Sequence, residues 1–433
     1  MLSIICFLAI SSLAVLSLTR YRILVICGLY SFYALLTVLD EGHVPRFGPL
    51  TIYRALYLIL GIAVVALVIQ DSNFLLRMRR WPVFSYIALL ILVLGSALYS
   101  QTNSALDFDD SAGVWNRVVV LGLFWMSAAL VQEESDVKFF GITSAGVALV
   151  LSLWVIWSAS QFDFEALRGG VAVNQNHISV FVLAGAIPLV NCLFSARSYF
   201  FRVIVMLSLL LMMLSALILA SRGMIAAFAA GAIFLTVRFF RRLRPWTIIA
   251  LSTLLFLVIT TAFFLPGAGQ FLARFQEDDV GTFTGRTLVW SHSLRYFSES
   301  GLARMIFGQG FSSETFILGP VMPPGLINYH NEYLQWLMGQ GIVGLLAFLA
   351  LIYGVGHRIV VCADPLKDMM LGWFVFLMVA GMTATVGGHY FWIPLGVMVG
   401  TSTLKCYVRG SSTGNLKRPA MHAHLPLPFK PST

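Results

Sequence analysis

Four short stretches of this sequence carry side chains able to do chemistry. Arg222 closes an apolar run in Ala220-Ser221-Arg222-Gly223, and Arg286 lies in Thr284-Gly285-Arg286-Thr287-Leu288-Val289-Trp290. His330 lies in Tyr329-His330-Asn331-Glu332-Tyr333-Leu334, and Arg168 precedes Asn174-Gln175-Asn176-His177. Each has a plain alternative: an arginine at a helix end can snorkel to lipid headgroups, and a histidine before a helix can be a neighbour of the cap. As a set they point elsewhere. An arginine near lipid is costly unless it meets an anion, and a guanidinium matches phosphate oxygens two at a time. His330 comes just before a predicted helix that takes Asn331 as its N-cap and Glu332 in its first turn. The positive end of that helix disfavours imidazolium, with Glu332 opposing, and a neutral imidazole can take a proton. Two anion-binding arginines and a histidine base describe group transfer from a phosphorylated lipid to a hydroxyl.

The elements that must position these residues are membrane helices. Of 433 residues, 59% are hydrophobic and only 11% charged, and the mean hydropathy is +0.86. Such a composition cannot cover a water-facing exterior. Apolar runs of about 17–22 residues fit spanning helices and are twice the length of barrel strands. They fall near 2–18, 22–38, 50–70, 82–100, 116–132, 141–158, 176–195, 202–220, 223–239, 246–264, 332–356, 368–386 and 390–406. The fold expected is therefore all-α and polytopic, with about 12–13 transmembrane helices. Residues 2–18 lack a basic start and read as a retained helix.

Basic clusters at Arg20/Arg22, Arg77–Arg80, Arg197/Arg202, Arg238–Arg244 and Arg358/Lys367 alternate with the opposite loops and mark the cytoplasmic side. Asp40/Glu41, Asp107/Asp109/Asp110, Asp163/Glu165 and the hydrophilic insertion 265–331 then face outward, together with Arg168, Arg222, Arg286 and His330. Residues 1–406 read as the transmembrane domain, interrupted by the long periplasmic loop 265–331, which should form short amphipathic helices. Residues 407–433 read as a disordered basic cytoplasmic tail.

The net charge of +9 resides in those loop clusters and not in a basic domain, which excludes nucleic acid as a partner. No metal or cofactor is expected. The acidic runs lack spaced partners, no HxxxH occurs, and Cys6, Cys27, Cys192, Cys362 and Cys406 form no CxxC. Gly339, Gly341 and Gly344 read as small-residue helix packing.

At these residues the chain resembles the O-antigen ligase and Wzy-type polysaccharide polymerase superfamily. The matching pieces are Ser221-Arg222-Gly223, Gly285-Arg286 followed by Trp290, Phe307-Gly308-Gln309-Gly310-Phe311, Tyr329 to Leu334 followed by Gly339, Gly341 and Gly344, and Asn174-x-Asn176-His177. The resemblance runs from about residue 165 to residue 360, and it is order, spacing and shared sidedness that make it specific. It implies a glycosyltransferase-C-like fold and an inverting, metal-independent transfer of glycan from undecaprenyl diphosphate, at the periplasmic face of the bacterial inner membrane. By position, Arg222 and Arg286 would bind the diphosphate and His330 would be the general base. Arg168, Asn176, His177, Trp290, Tyr329, Asn331 and Glu332 would be further substrate contacts. A flippase and a chain-length regulator are implied as partners beside the bilayer and the lipid-linked glycan.

The acceptor stays open. The Arg286–His330 segment is compact and has no added soluble domain, which argues against a protein acceptor, and the reading leans to a polymerase, which extends another lipid-linked repeat unit. The alternative is a ligase that moves the glycan to lipid A-core. A lipid-linked oligosaccharide transporter fits less well, because transporters gather polar residues at mid-membrane in repeated halves, and here they gather at one surface without a repeat.

Overall fold

The structure is a computed structural model that describes residues 22–36, 46–47, 50–71, 86–92, 110–161, 175–196, 198–219, 221–239, 286–310, 313–322, 328–362, 366–383 and 389–412, besides a few isolated positions. The first apolar run, the run near 246–264, the loop holding Arg168 and the tail beyond 412 therefore fall wholly or largely outside the described residues.

Thirteen helices are described: α1 (Ile23–Leu36), α2 (Ile52–Gln70), α3 (Asp110–Leu130), α4 (Glu134–Gln161), α5 (Gln175–Ser195), α6 (Tyr199–Ile218), α7 (Arg222–Phe239), α8 (Arg286–Glu299), α9 (Leu302–Phe307), α10 (Ser313–Leu318), α11 (Glu332–Val361), α12 (Lys367–Thr383) and α13 (His389–Ser412). A two-residue antiparallel ladder, β1 (Arg46–Phe47) with β2 (Leu50–Thr51), precedes α2. The protein is an all-α polytopic membrane protein. Five helices are long and apolar enough to cross a membrane, over Glu134–Ala159, Asn176–Ser195, Tyr199–Ile218, Arg222–Phe239 and Glu332–Val361. Their outward faces carry Trp157, Phe200, Ile233, Val237, Leu346 and Tyr353, which are exposed and find an apolar medium only in lipid.

Small residues let the helices approach closely. A Cβ on Gly396 would lie 2.3 Å from the Phe124 carbonyl oxygen, and one on Gly400 2.5 Å from that of Ala128, so the Gly-x-x-x-Gly face of α13 lies directly on α3. Gly231 of α7 meets the backbone of Gly372 on α12 in the same way. α7 and α12 run antiparallel, and the Arg238–Asp368 ion pair (2.8 Å) ties them at the end away from Arg222.

α11 is not the continuous span expected over 332–356. Gly341 has φ 67° and ψ −166°, so a short segment from Glu332 to Gln340 meets a long span at a break. The Phe307-Gly308-Gln309-Gly310 turn fills that break. Gln309 N–H donates to Met338 O and Gly310 N–H to Gly339 O, each at 2.9 Å. The three glycines read as ordinary helix packing thus divide. Gly339 and Gly341 form a backbone joint with the insertion, and Gly344 packs against Gln340 within its own helix.

The described part of the insertion consists of α8, α9 and α10. They build a small core of their own from Val289, Ile317, Leu318, Met322 and Tyr329, closed by Leu334 and Met338 of α11. The segment leading into α11 therefore hangs between this core and the bundle.

Candidate active site

Five helix ends converge at one end of the bundle. Ser221, just before α7, donates to Asn176 Oδ1 in the first turn of α5 at 2.9 Å. His177, the next residue of α5, packs on Tyr390 near the start of α13, with ring centroids 5.5 Å apart. Tyr333 in the first turn of α11 donates its hydroxyl to Met378 O in α12 at 3.1 Å. Thr383 closes α12 beside the start of α7, where a Cβ on Gly223 would lie 2.5 Å from the Thr383 Cβ.

Two arginines meet around Thr383. Arg222 is the first residue of α7 and immediately precedes Gly223. Arg286 is the first residue of α8, half-buried, and donates Nη1 to Thr383 O at 2.7 Å. Burial and the like charge of Arg222 both press the Arg286 guanidinium below its usual pKa. Holding two guanidinium groups in mutual repulsion at the mouth of a bundle is unfavourable unless an anion joins them.

His330 lies close enough to Arg286 and His177 to feel the charge of both. Burial pushes its imidazole down to about 4, helped by the charges of Arg286 and His177. It stays neutral through the physiological range, so it can accept a proton. Its φ is +48°, the only positive value at a described non-glycine residue. A left-handed histidine persists only where its surroundings over-determine it. His330 N–H donates to Asn328 Oδ1 at 2.8 Å, and Trp290 Nε1 of α8 donates to Tyr329 O at 2.7 Å. The Tyr329 hydroxyl donates to Ser313 Oγ of α10 at 3.1 Å. Asn331 caps α11, its Oδ1 accepting from Leu334 N–H at 3.0 Å, as its place in the sequence predicts.

Of the residues expected at the site, Arg222, Arg286, His330, Asn176 and His177 come together, while Arg168 lies outside the described residues. Tyr329 and Glu332 are buried, while Trp290 and Asn331 are half-buried beside His330. Tyr329 is buried in the insertion's core, and Trp290 and Asn331 spend their polar groups on the His330 segment. Glu332 is 0% exposed and points inward. There it pairs with Arg117 of α3, which is also buried, and accepts from Trp336 Nε1 at 3.0 Å. Arg117 also stands over the Trp336 ring, 5.4 Å from its centroid. Arg117 is the residue that sequence reading missed: it lies 215 positions from Glu332 in a run otherwise taken as an apolar span. Among the described residues no group of three His, Cys, Asp or Glu is placed to hold a metal ion.

The stretch from α6 through the break in α11, residues 207–349, matches the family model described as O-antigen ligase. These residues are similar to the O-antigen ligase family. No curated protein matches the chain. The O-antigen ligase segment contains Arg222, Arg286, Trp290, the glycine joint and His330 with its cap. Its partners Asn176, His177 and Arg117 lie on helices before it. The likeness to the O-antigen ligase and Wzy-type superfamily therefore rests on this segment.

Proposed function

We propose that this protein is an inverting, metal-independent glycosyltransferase of the periplasmic face of the bacterial inner membrane. It polymerises a surface or secreted polysaccharide from undecaprenyl-diphosphate-linked units. The observation that carries this reading is the approach of Arg286 to both Arg222 and a neutral His330 at one end of the bundle. The arginines hold the donor's diphosphate. The acceptor hydroxyl oxygen attacks the anomeric carbon from the opposite side while the bond from that carbon to the phosphate oxygen breaks. The electron pair leaves with the diphosphate, whose growing charge the two guanidinium groups offset. The hydroxyl proton passes to the imidazole of His330. One glycosidic bond forms, one glycosyl phosphate bond breaks, and undecaprenyl diphosphate leaves. In this reading Asn176 and His177, which border the same mouth, contact the sugar. Arg168, just upstream of α5, belongs to the same reading.

The acceptor taken here is the terminal sugar of another lipid-linked unit. The described insertion argues against a protein acceptor, since α8 to α10 make a compact cap with no added soluble domain among the described residues. A ligase acting on lipid A-core is the second reading, favoured by the description of the matching family. Deleting the gene and examining carrier-linked glycan separates them. Single units accumulating on undecaprenyl diphosphate, with no long chains, support the polymerase. Long chains left on the carrier beside bare lipid A-core support the ligase instead. Units trapped on the cytoplasmic side would point to a transporter and defeat both.

A further inference from the structure

The chain places a buried ion pair directly behind the candidate base, and its chemistry is odd for a device of stability alone. Arg117 and Glu332 are 5% and 0% exposed. Taking both charges out of water is costly, and apolar residues of similar size often serve a fold as well or better. Moreover the pair is incompletely satisfied: Glu332 Oε2 is buried and accepts no hydrogen bond from the described residues. What the pair does achieve is geometric. Glu332 is the first residue of α11, two positions after the left-handed His330. Other holds on this segment come from the insertion (Trp290, Ser313), from the segment itself (Asn328, Asn331) and from α12 through Tyr333, while the Gln309 and Gly310 amides hold the far end of the piece and Phe348 of the long span packs on Tyr333 and Trp336. The break at Gly341 separates the Glu332–Gln340 piece from the long span, so that span alone does not fix its direction. Arg117 holds Glu332 from α3 through Nη1 to Oε1, and its guanidinium over Trp336, one turn along, bears on the rotation of the piece as well.

We propose that the Arg117–Glu332 pair, with Trp336, is a positioning device that ties the His330 segment to α3 and so sets the distance from His330 to the arginine pair. The proposal rests on the functional reading above. Neither Arg117 nor Glu332 touches substrate; both act through His330.

The test uses the full-length protein in lipid nanodiscs, with carrier-linked glycan extracted from the deletion strain as donor. Arg117→Met alone strands a buried carboxylate and should unfold readily. The informative variant is therefore Arg117→Met/Glu332→Leu, which removes both charges. A positioning pair predicts a variant at least as heat-stable as wild type, with kcat down about 100-fold, the scale of a 1 Å misplacement, and KM within about twofold. Arg117→Lys, which keeps the charge but not the planar guanidinium over Trp336, should retain part of the kcat that the double variant loses. Wild-type kcat in the stable double variant would overturn the proposal. Should the double variant not fold, Glu332→Gln decides in the same terms: lost kcat at constant KM supports the proposal, and unchanged kcat overturns it. A wild-type protein inactive on this donor defeats the functional reading, and this inference with it, before any variant is assayed.

Discussion

His330 combines two unusual features for a residue at the edge of a helix: a left-handed backbone and an imidazole held down to about 4. The first fixes where the ring points, and the second keeps it unprotonated. A free-enzyme value this low predicts that kcat/KM falls on the acid side only well below pH 6.5, since kcat/KM reports the unliganded group. Binding of an anionic diphosphate offsets the positive charges and favours imidazolium, which raises the value in the complex. The acid limb of kcat should therefore lie at higher pH than that of kcat/KM, and paired pH profiles check the order. The arginines differ from lysines in their planar fork. Arg286→Lys should cost about 10- to 100-fold in kcat/KM, the worth of one hydrogen bond to a charged group at about 1.5–3 kcal/mol. Steady-state kinetics on extracted donor measures it.

At the scale of elements, the joint between the Gly308 turn and the break in α11 determines how the insertion sits on the bundle. Both glycines have positive φ, 81° and 67°. A Cβ on Gly308 would lie 2.2 Å from the Gly339 carbonyl oxygen, and one on Gly341 2.3 Å from that of Ile306. Alanine at either position meets rigid backbone and a disfavoured conformation together, so each substitution should cost more than about 2 kcal/mol. The contrast is Gly301→Ala, in open space with extended backbone, which should change little. Thermal unfolding of the detergent-solubilised protein compares the three. Local signals in the sequence announced much at this scale. Asn331 before Glu332 named a cap, and Ser221-Arg222-Gly223 marked the start of α7, because caps and helix starts depend on adjacent residues. The break did not announce itself. Gly339-x-Gly341 looks like packing until the partner turn, some thirty residues earlier, is seen to fill it.

Across the whole molecule, hydropathy alone conveyed an all-α membrane protein, since the length and apolarity of a span are set by the bilayer and not by its neighbours. Loop charge assigns Arg222, Arg286 and His330 to one side of the membrane, and in the structure Arg286 comes close to each of the other two. Arg117 was illegible, because nothing near position 117 indicates a partner at 332. Nor did the sequence show that Glu332 and Tyr329 turn inward, because burial of a single side chain depends on how distant helices cross. The same convergence explains why the O-antigen ligase segment is not the whole site: α3, α5 and α13 supply Arg117, the Asn176–His177 pair and Tyr390 from outside residues 207–349.

The most direct test of the transferase site is the turnover of extracted undecaprenyl-diphosphate-linked glycan by purified wild-type protein and by His330→Ala. Wild type should consume the donor, lengthen the glycan and release undecaprenyl diphosphate. The correctly folded His330→Ala should do so about 100- to 10,000-fold more slowly, the usual contribution of a positioned base. Turnover by His330→Ala at the wild-type rate would contradict the assignment of His330 and of the site built around it.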